Sequence, residues 1–233
     1  MMTIEVWSDF VCPFCYIGKR KLEKALSNFD RKNEVKVIFK SFELNPDAPK
    51  ENDKVGYEAF AALKGVSLEE AKKMNDYVTQ MASSYDLHYQ MDKAALTSTF
   101  DAHRLAKWAR TKNKEKALTE VMMDGYFTKG KNLADYHTLS LCAKAVGLDK
   151  NEALEVLNNN LFMSEVQEEI VEANRFGIRG VPFFVFNRKY AISGAQPDSQ
   201  FMLALQKLAE ETPQFESLDT EEEMLCGPDG CAI

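Results

Sequence analysis

Several things are scarce in this chain of 233 residues, and each absence excludes a class of function. Positive charge is in the minority: 29 Lys and Arg stand against 36 Asp and Glu, a formal charge of −7. Nucleic acid and anionic membrane surfaces both require clustered Lys and Arg, so neither is expected as a partner. No run approaches the roughly 18 apolar residues of a membrane span. The opening residues, Met1 to Asp9, lack the basic start and long apolar stretch of a secretory signal, so a cytoplasmic location is expected. A Gly-rich phosphate loop, a metalloprotease helix motif and a serine nucleophile elbow are all missing. There is no internal repeat and no low-complexity segment, and nothing supports acid–base catalysis by carboxylates.

What remains is a globular composition, 45% hydrophobic and 28% charged, sufficient for a sizeable core. Five cysteines are present: two close pairs, Cys12/Cys15 and Cys226/Cys231, and the single Cys142. In a reducing compartment, closely spaced cysteines are more often catalytic or metal-binding than structural. Cys142 falls among Leu139, Leu141 and Ala145 and reads as a small core side chain.

Residues 3–8 alternate and carry β-branched and aromatic side chains, which predicts a strand. Pro13 to Phe29 places Ile17, Leu22, Ala25, Leu26 and Phe29 at helical spacing, with Pro13 suited to the first helical position. Alternation returns over 35–43. From about Asn52 to Leu161 the pattern is almost wholly helical. Ser67-Leu68-Glu69-Glu70 forms a capping box for a helix running to Tyr85, and further helices fit 99–112, 114–128, 135–146 and 150–158. Another helix, 164–176, leads to an apolar strand over Gly180–Phe186. A turn at Asn187-Arg188-Lys189, a partner strand over Tyr190–Ser193 and a helix from Pro197 to Glu211 follow.

Cys12-Pro13-Phe14-Cys15 stands at the first strand-to-helix junction. A thiolate attacks disulfides, and the unpaired N–H groups and positive dipole end of a helix favour a sulfur anion there. Cys15, one turn further on, can close or resolve a disulfide. Phe14 brings no positive charge into the two-residue gap, so a milder oxidant than a periplasmic oxidase is expected. The competing reading is half of a zinc site.

The chain resembles the DsbA-like thioredoxin superfamily, in particular its FrnE-type branch. The resemblance rests on Ser8-Asp9-Phe10-Val11-Cys12-Pro13-Phe14-Cys15-Tyr16-Ile17-Gly18 and Phe100-Asp101-Ala102-His103-Arg104, together with Gly180-Val181-Pro182-Phe183-Phe184 and Ser193-Gly194-Ala195-Gln196-Pro197. It covers nearly the whole chain. It implies an α/β protein, a thioredoxin fold with a large all-helical domain inserted between its βαβ and αββα halves. The expected boundaries are residues 1–48 and 162–212 for the thioredoxin-like domain, 49–161 for the inserted helices and 213–233 for an acidic C-terminal tail. By resemblance Pro182 is a cis-proline facing the cysteine pair, and Val181-Pro182 binds substrate; the alternative is an ordinary trans proline opening a strand.

Three residues are accessory candidates. His103 shares a helix with Phe100, Arg104 and Trp108, which by resemblance borders the catalytic face; it either assists the Cys12 thiolate or simply packs. Cys226 and Cys231 flank Gly227-Pro228-Asp229-Gly230, a turn sequence that draws them together as a redox relay, a metal hook or a tail with no task. The expected function is thiol–disulfide oxidoreduction through Cys12 and Cys15. It needs no metal and no cofactor beyond the dithiol, with glutathione as a candidate co-substrate and protein or small-molecule thiols and disulfides as partners. The alternatives are a glutathione-dependent isomerase or transferase of the kappa-like class, which typically uses a lone Ser, and a redox-regulated chaperone or metal-binding protein.

Overall fold

The computed structural model describes residues 1–212. Cys226 and Cys231, and the tail expected over 213–233, lie outside the described residues.

Four strands form one sheet in the order β2-β1-β3-β4. The central strand β1 (Met2–Ser8) pairs in parallel with β2 (Val35–Ser41) and antiparallel with β3 (Phe183–Phe186), which continues as a hairpin into β4 (Tyr190–Ser193). The parallel pair requires a crossover, supplied by α1 (Pro13–Ser27). Alternation along β1 divides its side chains between two layers. Met2, Ile4 and Val6 pack with Phe184, Phe186 and Ile192 against α1 and the last helix of the described chain. Trp7 and Val185 point the other way, toward Ala173 and Ile178.

Between β2 and the second half of the sheet run α2 (Gly56–Lys64), α3 (Leu68–Ser83), α4 (Phe100–Thr111), α5 (Glu115–Lys129), α6 (Tyr136–Ala145) and α7 (Lys150–Asn158). Then come α8 (Met163–Arg175) before β3 and α9 (Asp198–Glu211) after β4. The capping box at Ser67 is formed in both directions with Glu70. Asp135 and Asp149 cap α6 and α7 through their carboxylates. The Phe100–Arg104 motif has a structural explanation. Arg104, 1% exposed, donates to the Val156, Leu157 and Leu161 carbonyls at the end of α7 while its own charge meets Asp101 at 2.5 Å.

Three departures from the sequence pattern have physical reasons. The apolar run from Gly180 becomes a strand only at Phe183, because Pro182 has no N–H to give to a ladder. The stretch between α3 and α4 is not helical beyond one short turn at Met91–Lys93. It is nevertheless anchored by buried Leu87, Tyr89, Met91, Ala94 and Thr97. Helix α2 has no capping side chain; it starts at Gly56, whose φ of +58° and approach to the Asp92 backbone leave no room for a Cβ. The β3–β4 turn matches expectation. Asn187 and Arg188, the central residues of the turn that the Lys189 N–H closes on the Phe186 carbonyl, both take positive φ, which matches the right-handed twist of the flanking strands. The cost at Arg188 is offset by its paired contacts of 2.9 and 2.8 Å to buried Glu5.

The sheet and the helices are joined through α1. Its first turns, with Cys12, Cys15, Tyr16 and Ile17, belong to the core of the helical block, whereas Leu22 and Ala25 belong to the core under the sheet. At the junction Tyr16, Lys19 and Arg20 all donate to Glu120 of α5, the first two at 2.5 Å. Burial acts to raise the Glu120 carboxyl, but the hydrogen bonds from Arg20, Lys19 and Tyr16 outweigh it and hold it down to about 2. A carboxyl depressed in the folded state contributes stability that is complete above its ordinary value of 4.5 and is lost as pH falls from there toward 2. With a third of the side chain open to solvent (33%), Glu120→Gln is expected to cost about 1–2 kcal/mol at pH 7. Chemical denaturation at several pH values checks this; the wild-type advantage should shrink through pH 4 and vanish near pH 2.

Candidate active site

Cys12 is the N-cap of α1 and uses no side-chain cap bond. Its sulfur is turned across the fold, and its Sγ–H donates to the Val181 carbonyl at 3.4 Å. The Val181–Pro182 peptide bond is cis. The Cys15 N–H bonds the Cys12 carbonyl at 3.0 Å, and the Cys12 N–H bonds the Asp9 carbonyl at 3.2 Å, so the loop between strand and helix is tightly wound.

The two sulfurs are not equivalent. Cys12 lines an open cleft together with Pro13, Phe14 and Val181, while Cys15 is absent from its walls. Burial pushes the Cys15 thiol well above its ordinary range, and the neighbouring Cys12 adds to the rise. The Asp9 backbone N–H opposes it without prevailing. Both side chains are nearly closed to solvent (3% and 2%), but Cys12 borders the cleft and Cys15 does not.

The cleft measures about 780 Å³. Its far wall is apolar, built by Phe60 and Leu63 of α2, Met74 and Tyr77 of α3, and Leu96 of the irregular segment. Leu63, Met74 and Tyr77 are each at least half open to solvent or close to it (48%, 48% and 64%). That is an unusual concentration of exposed apolar surface beside a reactive group.

The groups that hold the loop in place carry no mark in the sequence pattern. Gly18, one turn beyond Cys15, lets α1 approach the proline loop: a Cβ there would lie 3.0 Å from both Pro182 Cγ and Phe184 Cζ. Tyr89 donates from its hydroxyl to the Pro13 carbonyl at 2.8 Å while its ring stacks on Phe127 at 4.6 Å. Lys21 donates to the Ala195 and Gln196 carbonyls, both at 2.9 Å, tying the Ser193–Pro197 motif to α1. Each is a long-range contact with no local sequence signature.

Among the accessory candidates, His103 is 4% exposed and does not line the cleft. Its Nε2 is 3.0 Å from the Phe42 carbonyl and 3.6 Å from Asp9 Oδ1, and its ring lies on Phe10. Asp9 is itself buried and accepts from the Leu44 N–H at 2.8 Å. This geometry matches the packing reading of His103, one layer behind the cysteines. Cys142 is fully buried and free. No cluster of metal-ligating side chains occurs among the described residues, and none of their helices is long and apolar enough to cross a membrane.

The DSBA-like thioredoxin domain family matches residues 3–206. The chain belongs to this family. A crystal structure of a probable DsbA oxidoreductase from Streptomyces coelicolor is 36% identical, covers 100% of this chain and 99% of its own, and has a TM-score of 0.86. A 2-hydroxychromene-2-carboxylate isomerase (16% identity, 89% of this chain and 96% of that one, TM-score 0.67) shares the fold. So does the cytosolic disulfide reductase DsbM from Pseudomonas aeruginosa with GSH (16%, 89% and 99%, TM-score 0.61). The DSBA-like fold thus carries both oxidoreductase and isomerase relatives.

In this DSBA-like chain the approach at Gly18 is the most sensitive point of the loop. Pro182 is a rigid ring and Phe184 is fully buried, so neither yields readily to an added methyl. Gly18→Ala is expected to lose about 1 kcal/mol net, the overpacking cost exceeding alanine's better helix propensity. Thermal unfolding measures the loss, and disulfide exchange at Cys12 should slow with it. An unchanged exchange rate would show that the proline loop does not depend on this approach.

Proposed function

We propose that the protein is a thiol–disulfide oxidoreductase acting through Cys12 and Cys15. The observation that carries the reading is the unequal placement of the two sulfurs: Cys12 at the helix N-terminus in the cleft, Cys15 buried behind it with its thiol held protonated. In the reducing direction Cys12, as thiolate, attacks a substrate disulfide and forms a mixed disulfide. Cys15 then attacks the Cys12 sulfur, the substrate leaves as a thiol, and the Cys12–Cys15 disulfide remains. In the oxidising direction the same steps run backward.

Val181 and Pro182 face Cys12 and are the surface on which the substrate's chain lies, and Pro13 and Phe14 form its near edge. The apolar wall favours substrates whose disulfide is flanked by apolar groups, as in an incompletely folded protein. Glutathione is the natural co-substrate in a cytoplasmic setting, where reductase or isomerase work suits the prevailing poise better than bulk oxidation. His103 acts through packing. A glutathione-dependent isomerase is the second reading, since an isomerase is named among the proteins of the same fold. The cysteine pair in place of a lone serine weighs against it.

Equilibration with glutathione buffers should give a two-electron potential in the roughly −200 to −300 mV span of cytosolic thiol enzymes. Cys12→Ser should abolish reduction of a model protein disulfide. Cys15→Ser should leave the attack intact and accumulate a mixed disulfide at Cys12, visible by mass spectrometry. Isomerase turnover that survives loss of both cysteines would replace this reading with the second.

A further inference from the structure

Three polar side chains on the walls of the cleft are nearly closed to solvent yet incompletely bonded. Asn75 of α3, Thr99 at the start of α4 and Tyr126 of α5 are 4%, 3% and 1% exposed. All three line the cleft that Cys12 and Val181 border. Thr99 is the N-cap of α4, a place where a threonine hydroxyl ordinarily takes an N–H of the first turn, but it makes no such bond. Asn75 commits its amide N–H to the Ala71 carbonyl at 2.7 Å, which leaves Oδ1 as an acceptor. The Tyr126 hydroxyl forms no hydrogen bond with the described residues and is not sealed from solvent, so the tip of the side chain opens on the cleft. Burial, and after it the Asp9 carboxylate, keeps this hydroxyl protonated and therefore a donor. Its ring is fixed by Phe127, which packs edge-on against it at 4.8 Å and stacks on Tyr89, the residue that holds Pro13.

A few placed polar groups in an otherwise apolar cleft set the orientation and chemistry of what binds there. A purely apolar ligand would cover these three and leave them unpaired, which is costly. The charged side chains of the walls are Asp9, whose Oδ2 already takes the Leu44 N–H, and Lys64 and Lys73, which are exposed. The matching group is therefore neutral, both donates and accepts, and sits between apolar side chains. A peptide unit has those properties. Resting on the oxidoreductase reading and deepening it, we propose that Asn75, Thr99 and Tyr126 bind the main-chain amides of a substrate polypeptide beside its reacting cysteine. The Tyr126 hydroxyl donates to a substrate carbonyl, Asn75 Oδ1 accepts a substrate N–H, and the Thr99 hydroxyl pairs with a neighbouring amide. The sulfur chemistry stays with Cys12 and Cys15. These three are specificity-determining residues, which separate a polypeptide disulfide from one that carries no amide.

The test compares two disulfides: the dimer of acetyl-Cys-Leu-Phe-amide, whose peptide units are neutral and flanked by apolar side chains, and 2-hydroxyethyl disulfide, which has no amide. Tyr126→Phe removes one neutral hydrogen bond and should lower the preference for the peptide about fivefold. The loss should be read as a raised KM for the peptide with little change in kcat. Tm should stay within about 2 °C of wild type, because the hydroxyl has no partner among the described residues. Thr99→Val should move the preference in the same direction. A preference unchanged in both variants, or equal slowing on both disulfides, would overturn the proposal. The wild-type protein supplies a second reading, with each peptide amide replaced in turn by an ester that lacks the N–H. An unmoved KM for every ester would show that the cleft takes an apolar ligand only, and would overturn the proposal as well. If no disulfide exchanges at all, the function proposed above fails. The subsite is then judged by calorimetric titration with acetyl-Ser-Leu-Phe-amide. Binding about fivefold weaker in Tyr126→Phe sustains it, and equal binding or none overturns it.

Discussion

The close approach of α1 to the loop before β3 governs the rest of the site. It is possible because residue 18 has no side chain, and Pro182 and Phe184 occupy the space a Cβ would take. With the helix seated there, the Val181 carbonyl comes within 3.4 Å of the Cys12 sulfur. A helix N-terminus drawn away from this loop would still favour an anion, but the Val181 carbonyl would no longer face the Cys12 sulfur. The Lys21 bonds to Ala195 and Gln196 and the Tyr89 bond to Pro13 brace the same approach from two other sides. Three separated parts of the chain thus converge on the first half of α1.

That convergence explains why two cysteines three residues apart experience different environments. Cys12 ends a loop and borders a large cleft, whereas Cys15 has entered the helix and lies off the cleft, though both belong to the core of the helical block. The helical residues between β2 and α8, and not the sheet alone, supply most of the walls of that cleft.

The sequence made some of this legible and concealed the rest, for identifiable reasons. The strands and most helices were readable because each has its own period or cap: the alternation of Ile4 and Val6, the Ser67–Glu70 box, the Asn187-Arg188 turn. Cys12 and Cys15 were readable because their chemistry and spacing are local. Gly18, Tyr89 and Lys21 were not, since what they do depends on partners far away in sequence, such as Tyr89 reaching a carbonyl 76 residues distant. Helix α2 left a faint mark because it is short and begins on a glycine instead of a cap. The Phe100–Arg104 motif was visible as a pattern, yet its meaning, an arginine closing the end of another helix, required the fold.

Strand β1 joins neighbours of very different sequence distance, and this bears on the order of assembly. Its partnership with β2 is made through a nearby crossover, but Thr3 bonds Asn187 across a separation of 184 residues. Closing a flexible loop of that length costs about 4–5 kcal/mol of chain entropy before any contact repays it. Prior condensation of the intervening helices would shorten the effective loop to little more than the distance between their ends. The hairpin of β3 and β4, which can form by itself, would then dock as a finished unit on the edge of β1. The seam between β1 and β3 is accordingly the part of the sheet that carries the larger loop-closure cost, and the Val181 loop lies immediately beside it.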